Sequence, residues 1–328
     1  MRTSSLRATV VAAVAALGLA ACAAPSIPAD SPAFTGTPAA APTPLASQAC
    51  TNPTQSYEPS SVSAFPAGSL QKQLRDSPNR KFVVGVSGDS LLLGSRDPER
   101  PNEFSGFDID LARAVAKAIY PTDWEKRIQF RVITAAQRIP LVNKGGADGG
   151  VDMVARNMTM NCDRWKQVSF SAVYFLAEQK VLVRNDSGVD AVADLAASKA
   201  RVCAPAGSTS IQRMVDSKYA GIVPVQVDQH TTCLALLQEG RVDAITGDST
   251  VLAGLKVQDP GTRVLGGPAL GQEPYGLAVG QSQKQFAQFV NAVLVQYIAS
   301  GQWTAAYDKY FGSADLGPGK PPTPEYGR

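Results

Sequence analysis

The feature that most constrains the fold is an alternation of strand-like and helical segments that begins near residue 81. Residues 81–86 form the first strand-like run, which is apolar after Lys81. Residues 108–119 carry apolar side chains at helical spacing, at Ile109, Ala112, Val115, Ala116 and Ile119. Strands that alternate with amphipathic helices are typical of α/β folds whose strands run mainly parallel. We therefore predict an α/β fold from residue 80 onwards.

The same unit repeats further along the chain. The first copy continues with a strand at 127–133, a helix at 137–144 and a strand at 151–154. The second copy has strands at 201–204, 221–227 and 242–245, and helices at 208–216, 231–239 and 248–256. Two α/β halves of about 100 residues each are therefore predicted. A strand at 275–279, followed by helices at 284–300 and 303–311, has no partner in the second half, so we expect it to return to the first.

The first 21 residues are typical of an export signal. Arg2 and Arg7 precede a short apolar run at 8–21, which is too short to span a bilayer. The run closes with Leu19, Ala20, Ala21 and Cys22, which resembles the lipobox of bacterial lipoproteins. We predict a signal peptide at 1–21, a lipid on Cys22, and an extracytoplasmic protein anchored to the cell membrane. The alternative is an ordinary signal peptide cut near Ala24.

Two segments have compositions that do not favour a packed core. Residues 22–79 begin with a stretch of Pro, Ala, Ser and Thr that cannot bury enough apolar surface to offset the entropy of ordering. We predict a semi-extended tether there and a loose Pro-rich tail at 313–328. The formal net charge is +3 and falls to near +1 without Arg2 and Arg7. The sequence also has no basic tract, so nothing in it supports binding to nucleic acid.

Four cysteines remain once Cys22 carries lipid. An even number in an oxidising compartment predicts two disulfides, and four cysteines allow three connectivities. Cys203 and Cys233 fall in one segment of the second half, so this pairing is favoured. Cys50 would then tie the tether to Cys162.

Six short strings together resemble one known family. They are Gly106 to Leu111, Arg138 to Leu141, Thr159 to Arg164 with Phe170 and Ser171, Gly207 to Ser210, Asp248 with Leu252 to Gly254, and Gln272 to Gly276. In this order they are similar to the type II periplasmic solute-binding proteins for polar amino acids, and within them to the glutamate/aspartate binders of ABC transporters. The resemblance implies a fold of two lobes, 80–178 with 274–312 and 179–273. It also implies crossing segments near 176–181 and 268–275.

The resemblance also implies which side chains bind the ligand. Arg164 resembles the arginine that binds the α-carboxylate through both arms of its guanidinium. Asp248 resembles the acid that accepts the α-ammonium, although an Asp at a helix start is also a common N-cap. Thr159 and the loop with Ser208, Thr209 and Ser210 would add hydroxyl and backbone N–H groups.

Three further side chains point to an acidic ligand. Arg138 resembles the arginine that reaches the distal carboxylate, and His230, the chain's one histidine, aligns with a histidine near that group. Arg156 is a further cation close to Thr159 and Arg164 in sequence. Glutamate or aspartate is therefore favoured over glutamine or asparagine. At the end of the first strand, where many relatives carry an acid or an arginine, this chain has Ser87, with Asp89 two residues on.

Several alternatives stay open at this point. Ser208 or Ser210 with His230 and Asp248 has the residue types of a hydrolase, but the Gly-x-Ser-x-Gly elbow is absent, and some relatives of the fold are dehydratases. His230, Cys233, Cys203 and Cys162 would suit zinc. A membrane protein would recognise the closed form of the two lobes, and this partner would be either an ABC permease or a sensor protein. We expect no catalysis, no cofactor and no metal.

Overall fold

The structure is a computed structural model that describes residues 51–328. The predictions for the signal segment 1–21, for Cys22 and for Cys50 lie outside these residues. The helices are α1 (Leu70–Asp76), α2 (Phe107–Ile119), α3 (Trp124–Arg127), α4 (Arg138–Lys144), α5 (Cys162–Trp165), α6 (Val192–Ala197), α7 (Thr209–Arg213), α8 (His230–Gln238), α9 (Ser249–Gln258), α10 (Lys284–Ala299) and α11 (Gln302–Phe311). The strands are β1 (Phe82–Val86), β2 (Asp89–Ser90), β3 (Gly94–Arg96), β4 (Phe104–Ser105), β5 (Ile128–Val132), β6 (Met153–Ala155), β7 (Val168–Phe170), β8 (Phe175–Arg184), β9 (Arg201–Pro205), β10 (Val223–Val227), β11 (Ala244–Asp248), β12 (Thr262–Val264), β13 (Gly271–Tyr275) and β14 (Ala278–Gly280).

The first lobe is built on a sheet with the strand order β5-β1-β6-β14-β7. Strand β1 runs parallel to β5 and β6, whereas β14 runs antiparallel to β6 and β7. Helix α2 buries Ile109, Ala112, Ala116 and Ile119 in the core of this lobe, because these residues share one face of the helix. A small antiparallel sheet of β2, β3 and β4 precedes α2 and carries Asp89.

The second lobe is built on a sheet with the order β10-β9-β11-β8-β12. Strand β9 runs parallel to β10 and β11, and β8 runs antiparallel to β11, β12 and β13. Both faces of this sheet are covered. Val181 and Val183 pack in one core cluster and Leu182 packs in another, as expected when successive side chains of a strand point to opposite faces.

Two paired strands cross between the lobes. Strand β8 follows β7 of the first sheet, and β13 precedes β14 of the same sheet. β8 and β13 pair antiparallel, from Phe175 opposite Tyr275 to Gln179 opposite Gly271. The predicted two-lobe α/β fold with two crossing segments is therefore confirmed.

The single strand predicted at 275–279 is wrong in its bounds. The chain forms two strands there, and they belong to different sheets: β13 pairs with β8, and β14 pairs with β6 and β7. Gly276 lies between them, and a Cβ there would lie 2.8 Å from the Met160 sulfur. The chain therefore passes from one lobe to the other at a point that is too crowded for a side chain.

The tether predicted for 22–79 is wrong from residue 51 onwards. Helix α1 buries Leu70 and Leu74 in the core of the first lobe, because these two residues lie one helical turn apart and form an apolar stripe. Ser56 is also buried and donates its hydroxyl to the Phe170 carbonyl at 2.9 Å. Residues 51–79 are therefore part of the folded protein.

The end of the chain packs against the same segment, so the prediction of a loose tail is wrong for its last residues. Tyr326 forms a β-bridge with Ser56. Arg328 donates to the Gln55 carbonyl at 2.8 Å, and its guanidinium lies 4.0 Å from the centroid of the Trp165 ring. Within residues 51–328, no helix is both long and apolar enough to cross a membrane.

Candidate functional site

The predicted ligand residues collect where parallel strands of the two sheets end. Arg156 follows β6, Ser208 follows β9, His230 follows β10, and Asp248 ends β11. The carboxyl ends of parallel strands are the usual place for a ligand in open α/β sheets. One cavity between the lobes is lined by eight of the nine predicted residues: Arg138, Arg156, Thr159, Ser208, Thr209, Ser210, His230 and Asp248. Arg164 lies beside it and lines a neighbouring cavity with Arg138.

The lobes lie close together over this cavity. Its volume is about 10 Å³, which is about the space that one water molecule needs. Every one of the nine predicted ligand residues is buried. The lobes must therefore separate before a solute the size of an amino acid can enter.

Arg138 and Arg164 belong to the first lobe and reach the same atom of the second. Their Nη2 atoms donate to the Gly207 carbonyl oxygen at 3.2 and 3.3 Å. Arg164 also donates to the Thr159 carbonyl at 2.7 Å. Burial lowers the pKa of both guanidiniums, and the charges of Arg164 and Arg156 lower the pKa of Arg138 further. Two buried cations thus share one neutral acceptor from the other lobe.

Gly207 brings that carbonyl between the lobes. Its φ is +74°, a backbone conformation that L side chains rarely adopt. A Cβ at this position would lie 2.8 Å from the Cα of Ala136 in the first lobe. Glycine is therefore required here both by the turn and by the close approach of the two backbones.

Asp248 faces the cavity. It occupies the N-cap position of α9, yet its side chain makes no capping hydrogen bond. Its carboxylate accepts from the Tyr275 hydroxyl at 2.6 Å, the Asn157 side-chain amide at 3.2 Å and the Ser210 hydroxyl at 3.5 Å. The carboxylate is thus held toward the cleft by groups from both lobes, which differs from a plain N-cap.

Ser208 is the N-cap of α7. Its hydroxyl caps α7 by accepting from the Ile211 N–H at 3.2 Å, and it donates to the Pro205 carbonyl at 2.6 Å. Thr209 instead donates its hydroxyl to Glu273 at 2.7 Å. The loop therefore presents Thr209 and Ser210 to polar partners in the cleft, while the Ser208 hydroxyl is used within its own lobe.

Arg156 and His230 carry unused hydrogen-bonding atoms. Arg156 Nε and His230 Nε2 are buried and have no hydrogen-bond partner among the described residues. His230 is hydrogen-bonded to the backbone of Thr246, and burial lowers its pKa, so it is neutral at pH 7. A neutral histidine that donates through one ring nitrogen accepts through the other. This corner of the site therefore has one spare donor and one spare acceptor.

Buried carboxylates balance the guanidiniums. Asp108 accepts from the Tyr174 hydroxyl at 2.7 Å and the Asn157 N–H at 2.8 Å. Burial raises the pKa of Asp108 to about 6. The charges of Asp89, Asp108 and Asp248 oppose the effect of burial on the pKa of Arg156. The cleft is therefore not a simple cationic pocket.

Sequence reasoning missed several residues of this site. Asn157 has a φ of +33°, which asparagine tolerates better than most residues, and it joins Asp248 from the other lobe. Asp89 reaches across the cleft and accepts from the Thr231 N–H at 3.3 Å and the Thr231 hydroxyl at 3.0 Å. Glu273 and Tyr275 come from β13, within the string Gln272 to Gly276. Their polar side chains in a buried strand were the available signal.

The hydrolase alternative lacks its central contact. Neither Ser208 nor Ser210 bonds to His230 Nε2, which has no partner within residues 51–328. A nucleophilic serine needs its base within hydrogen-bond reach.

The zinc alternative loses two ligands, because Cys203 and Cys233 form a disulfide.

The favoured cysteine pairing is confirmed. Cys203 and Cys233 are joined, with their Cα atoms 5.6 Å apart. The bond ties β9 to α8 within the second lobe. Cys162 is disulfide-bonded as well, and since Cys50 lies outside the described residues, its pairing with Cys162 stays a prediction.

Comparison with known proteins places these features in one family. Residues 82–313 match the bacterial extracellular solute-binding proteins, family 3. The chain is 34% identical over 232 residues to the ABC transporter glutamine-binding protein GlnH of Bacillus subtilis, covering 71% of this chain and 81% of the relative. It is 32% identical over 231 residues to the glutamate-binding protein GluB of Corynebacterium glutamicum, covering 68% and 76%. A solved ancestral arginine-binding protein bound to glutamine is similar, with a TM-score of 0.62, 29% identity and coverage of 72% and 100%.

Proposed function

The chain belongs to the bacterial extracellular solute-binding proteins of family 3, and from this membership we propose that it captures a polar amino acid between its lobes and presents it to an ABC permease. Relatives that bind glutamine and glutamate support the ligand class. We propose binding without chemical change, so no residue is assigned a catalytic role.

The arrangement of charge across the cleft carries this proposal. The first lobe supplies Arg164 and the second supplies Asp248, and both are buried. A free amino acid is a zwitterion, and burying it requires a partner for each charge if the desolvation cost is to be recovered. Arg164 would bind the α-carboxylate with both arms of its guanidinium, and Asp248 would accept the α-ammonium.

Opening and closing follow from the same contacts. When the lobes part, Arg138 and Arg164 lose the Gly207 carbonyl, which belongs to the other lobe. The Nη2 atoms that donated to it are then free to take a carboxylate, which is a stronger acceptor than a peptide carbonyl. Closure over the bound amino acid would couple occupancy to shape, and the permease would read that shape.

The side chain of the ligand would meet Arg138, Arg156 and His230. Arg138 and Arg156 are cations, so they favour glutamate or aspartate, as the sequence predicts. A side-chain amide, as in glutamine or asparagine, is a second candidate on a specific observation: the spare donor at Arg156 Nε and the spare acceptor at His230 Nε2 suit a carboxamide. A carboxylate accepts only, so it would leave the His230 nitrogen without a partner.

Isothermal titration calorimetry tests the proposal. The purified chain is titrated with glutamate, aspartate, glutamine and asparagine, and with leucine as an apolar control. We expect heat for at least one of the four polar ligands and none for leucine. Arg164→Ala should abolish binding, and Arg138→Ala should narrow the preference between glutamate and glutamine. Arg184→Ala is the matched control, since Arg184 pairs with Asp186 on the surface. No heat for any of the four would refute the ligand class.

We propose further that a lipid on Cys22 anchors the chain outside the cell membrane. A soluble binder held near its permease meets it at a higher effective concentration than a free one. Cys22→Ser should move the protein from the membrane fraction to the medium or the soluble fraction of the cell envelope. A variant that stays with the membrane would contradict the anchor and would leave the ligand proposal untouched.

A further inference from the structure

Glu273 is a buried carboxylate at the crossing point of the lobes. It lies in β13, and the residue is 0% exposed. Its Oε2 atom accepts from the Thr159 hydroxyl of the first lobe at 2.5 Å and from the Thr209 hydroxyl of the second at 2.7 Å. Its Oε1 atom accepts from Arg213 at 3.1 Å. One side chain therefore joins hydroxyl groups of both lobes.

The two threonines also line the cavity proposed for the ligand. A hydroxyl group has a single proton, and each threonine donates that proton to Glu273. Toward the cavity the same hydroxyls can then only accept. A ligand carboxylate, which also only accepts, gains nothing from them in this arrangement. Glu273 and a bound carboxylate thus need the same two protons.

The charges around Glu273 leave it poorly compensated. Arg213 forms the one direct ion pair of Glu273 within the described residues. The Arg213 guanidinium packs against Gly271, where a Cβ would overlap it. Asp248 lies close enough to repel it, and Arg164 is within electrostatic reach. Burial, followed by the charge of Asp248, raises the pKa of Glu273 to about 7. A further negative charge beside it would raise that pKa again.

We propose that Glu273 competes with the α-carboxylate of the ligand for the hydroxyl protons of Thr159 and Thr209, and that Glu273 takes up a proton from solvent when the ligand binds. The proton adds to Glu273 Oε2, which then donates to a threonine oxygen. The two threonine protons turn toward the ligand carboxylate, and Arg213 keeps Oε1. This rests on the proposed function, because it assumes that an amino acid binds in the cleft.

Calorimetry in buffers of different ionisation enthalpy measures this proton directly. The purified chain is titrated at pH 7.5 with its best amino-acid ligand in phosphate, HEPES and Tris. The slope of the observed enthalpy against the buffer enthalpy gives the number of protons taken up. We expect about 0.5 to 0.8 proton per ligand, because a group with a pKa of about 7 is already partly protonated at pH 7.5. A slope of zero with clear binding would overturn the inference, whereas no binding in any buffer would instead overturn the proposed function.

A matched pair of variants assigns the proton to this residue. Glu273→Gln should bring the uptake close to zero. Glu178→Gln, in the strand that pairs with β13, should keep the wild-type value, because Glu178 is partly exposed and lies outside the cavity lining. Uptake that survives in Glu273→Gln would place the proton elsewhere. If that variant does not bind, the pH profile of the wild type still decides.

The sign of that profile is fixed by the mechanism. Binding raises the pKa of Glu273, so the bound state holds more protons and the affinity falls as the pH rises between 6 and 8. The fall should be about fivefold or more, and at most tenfold per pH unit. Burial lowers the pKa of His230, so this side chain is neutral from pH 7 to 8 and does not contribute to the profile there. A wild-type affinity that stays constant or rises from pH 7 to 8 would contradict the proposal.

Discussion

A substitution at Gly254 tests closure of the lobes, because it should weaken ligand binding without lowering the stability of the open protein. It lies inside α9 of the second lobe, where a Cβ would come within 2.5 Å of the Leu91 carbonyl oxygen of the first lobe. Within the helix itself alanine is favoured over glycine by about 1 kcal/mol. Gly254→Ala should therefore be neutral or stabilising whenever the lobes are apart, and unfavourable when they close.

The size of the effect follows from this contact. The clashing atom belongs to the backbone of the other lobe, so the lobes must shift to make room. Overpacking of this kind costs about 1–3 kcal/mol, which weakens ligand binding by a factor of about 5 to 150. Calorimetry of ligand binding, together with thermal unfolding without ligand, measures both sides of the prediction.

Gly266→Ala is the matched control. Gly266 lies near the crossing segment, has an ordinary φ and has nothing within 4 Å of an added Cβ. It should bind as the wild type does. If Gly254→Ala also binds with wild-type affinity, the ligand-bound state does not bring Leu91 against α9, and the closure described here is incorrect.

Three further predictions concern single features. Arg164→Lys should weaken ligand binding by about 2 kcal/mol or more in calorimetry, because an ammonium cannot bind a carboxylate through two parallel bonds; equal affinity would remove Arg164 from the carboxylate site. Replacing Cys203 and Cys233 together by alanine should lower the free energy of unfolding by about 3–4 kcal/mol in urea, given their sequence separation of 30, and no loss would contradict a structural role. Burial raises the pKa of Asp108 from 3.8 to about 6, so its contribution to stability should fall by about 2.4 kcal/mol as the pH rises from 4 to 7. In Asp108→Asn the free energy of unfolding should lack this fall. If the variant shows the same dependence on pH as the wild type, Asp108 is not its cause.

The clustering of Arg156, His230 and Asp248 could be predicted because it depends on local order along the chain. Arg156 and His230 follow strands of recognisable apolar pattern, Asp248 ends such a strand, and parallel strands end at one edge of a sheet. The favoured Cys203–Cys233 pair is likewise local to one lobe. In these cases the neighbours in sequence determine the neighbours in space.

The contacts across the cleft could not be predicted in the same way. Glu273 bonds to Thr159, which is 114 residues away, and Asn157 bonds to Asp248, which is 91 residues away. Such pairs depend on how two lobes meet, and no periodicity along one strand or helix encodes that. The folded part of 51–79 was missed for another reason: Leu70 and Leu74 form only one helical turn within a segment rich in Ser and Pro.

A crystal structure with the bound amino acid tests the central claim most directly. We predict that the ligand lies between the lobes, with its α-carboxylate within hydrogen-bond distance of Arg164 and its α-ammonium within hydrogen-bond distance of Asp248. A ligand bound outside this cleft, or one whose carboxylate lies away from Arg164, would contradict the account.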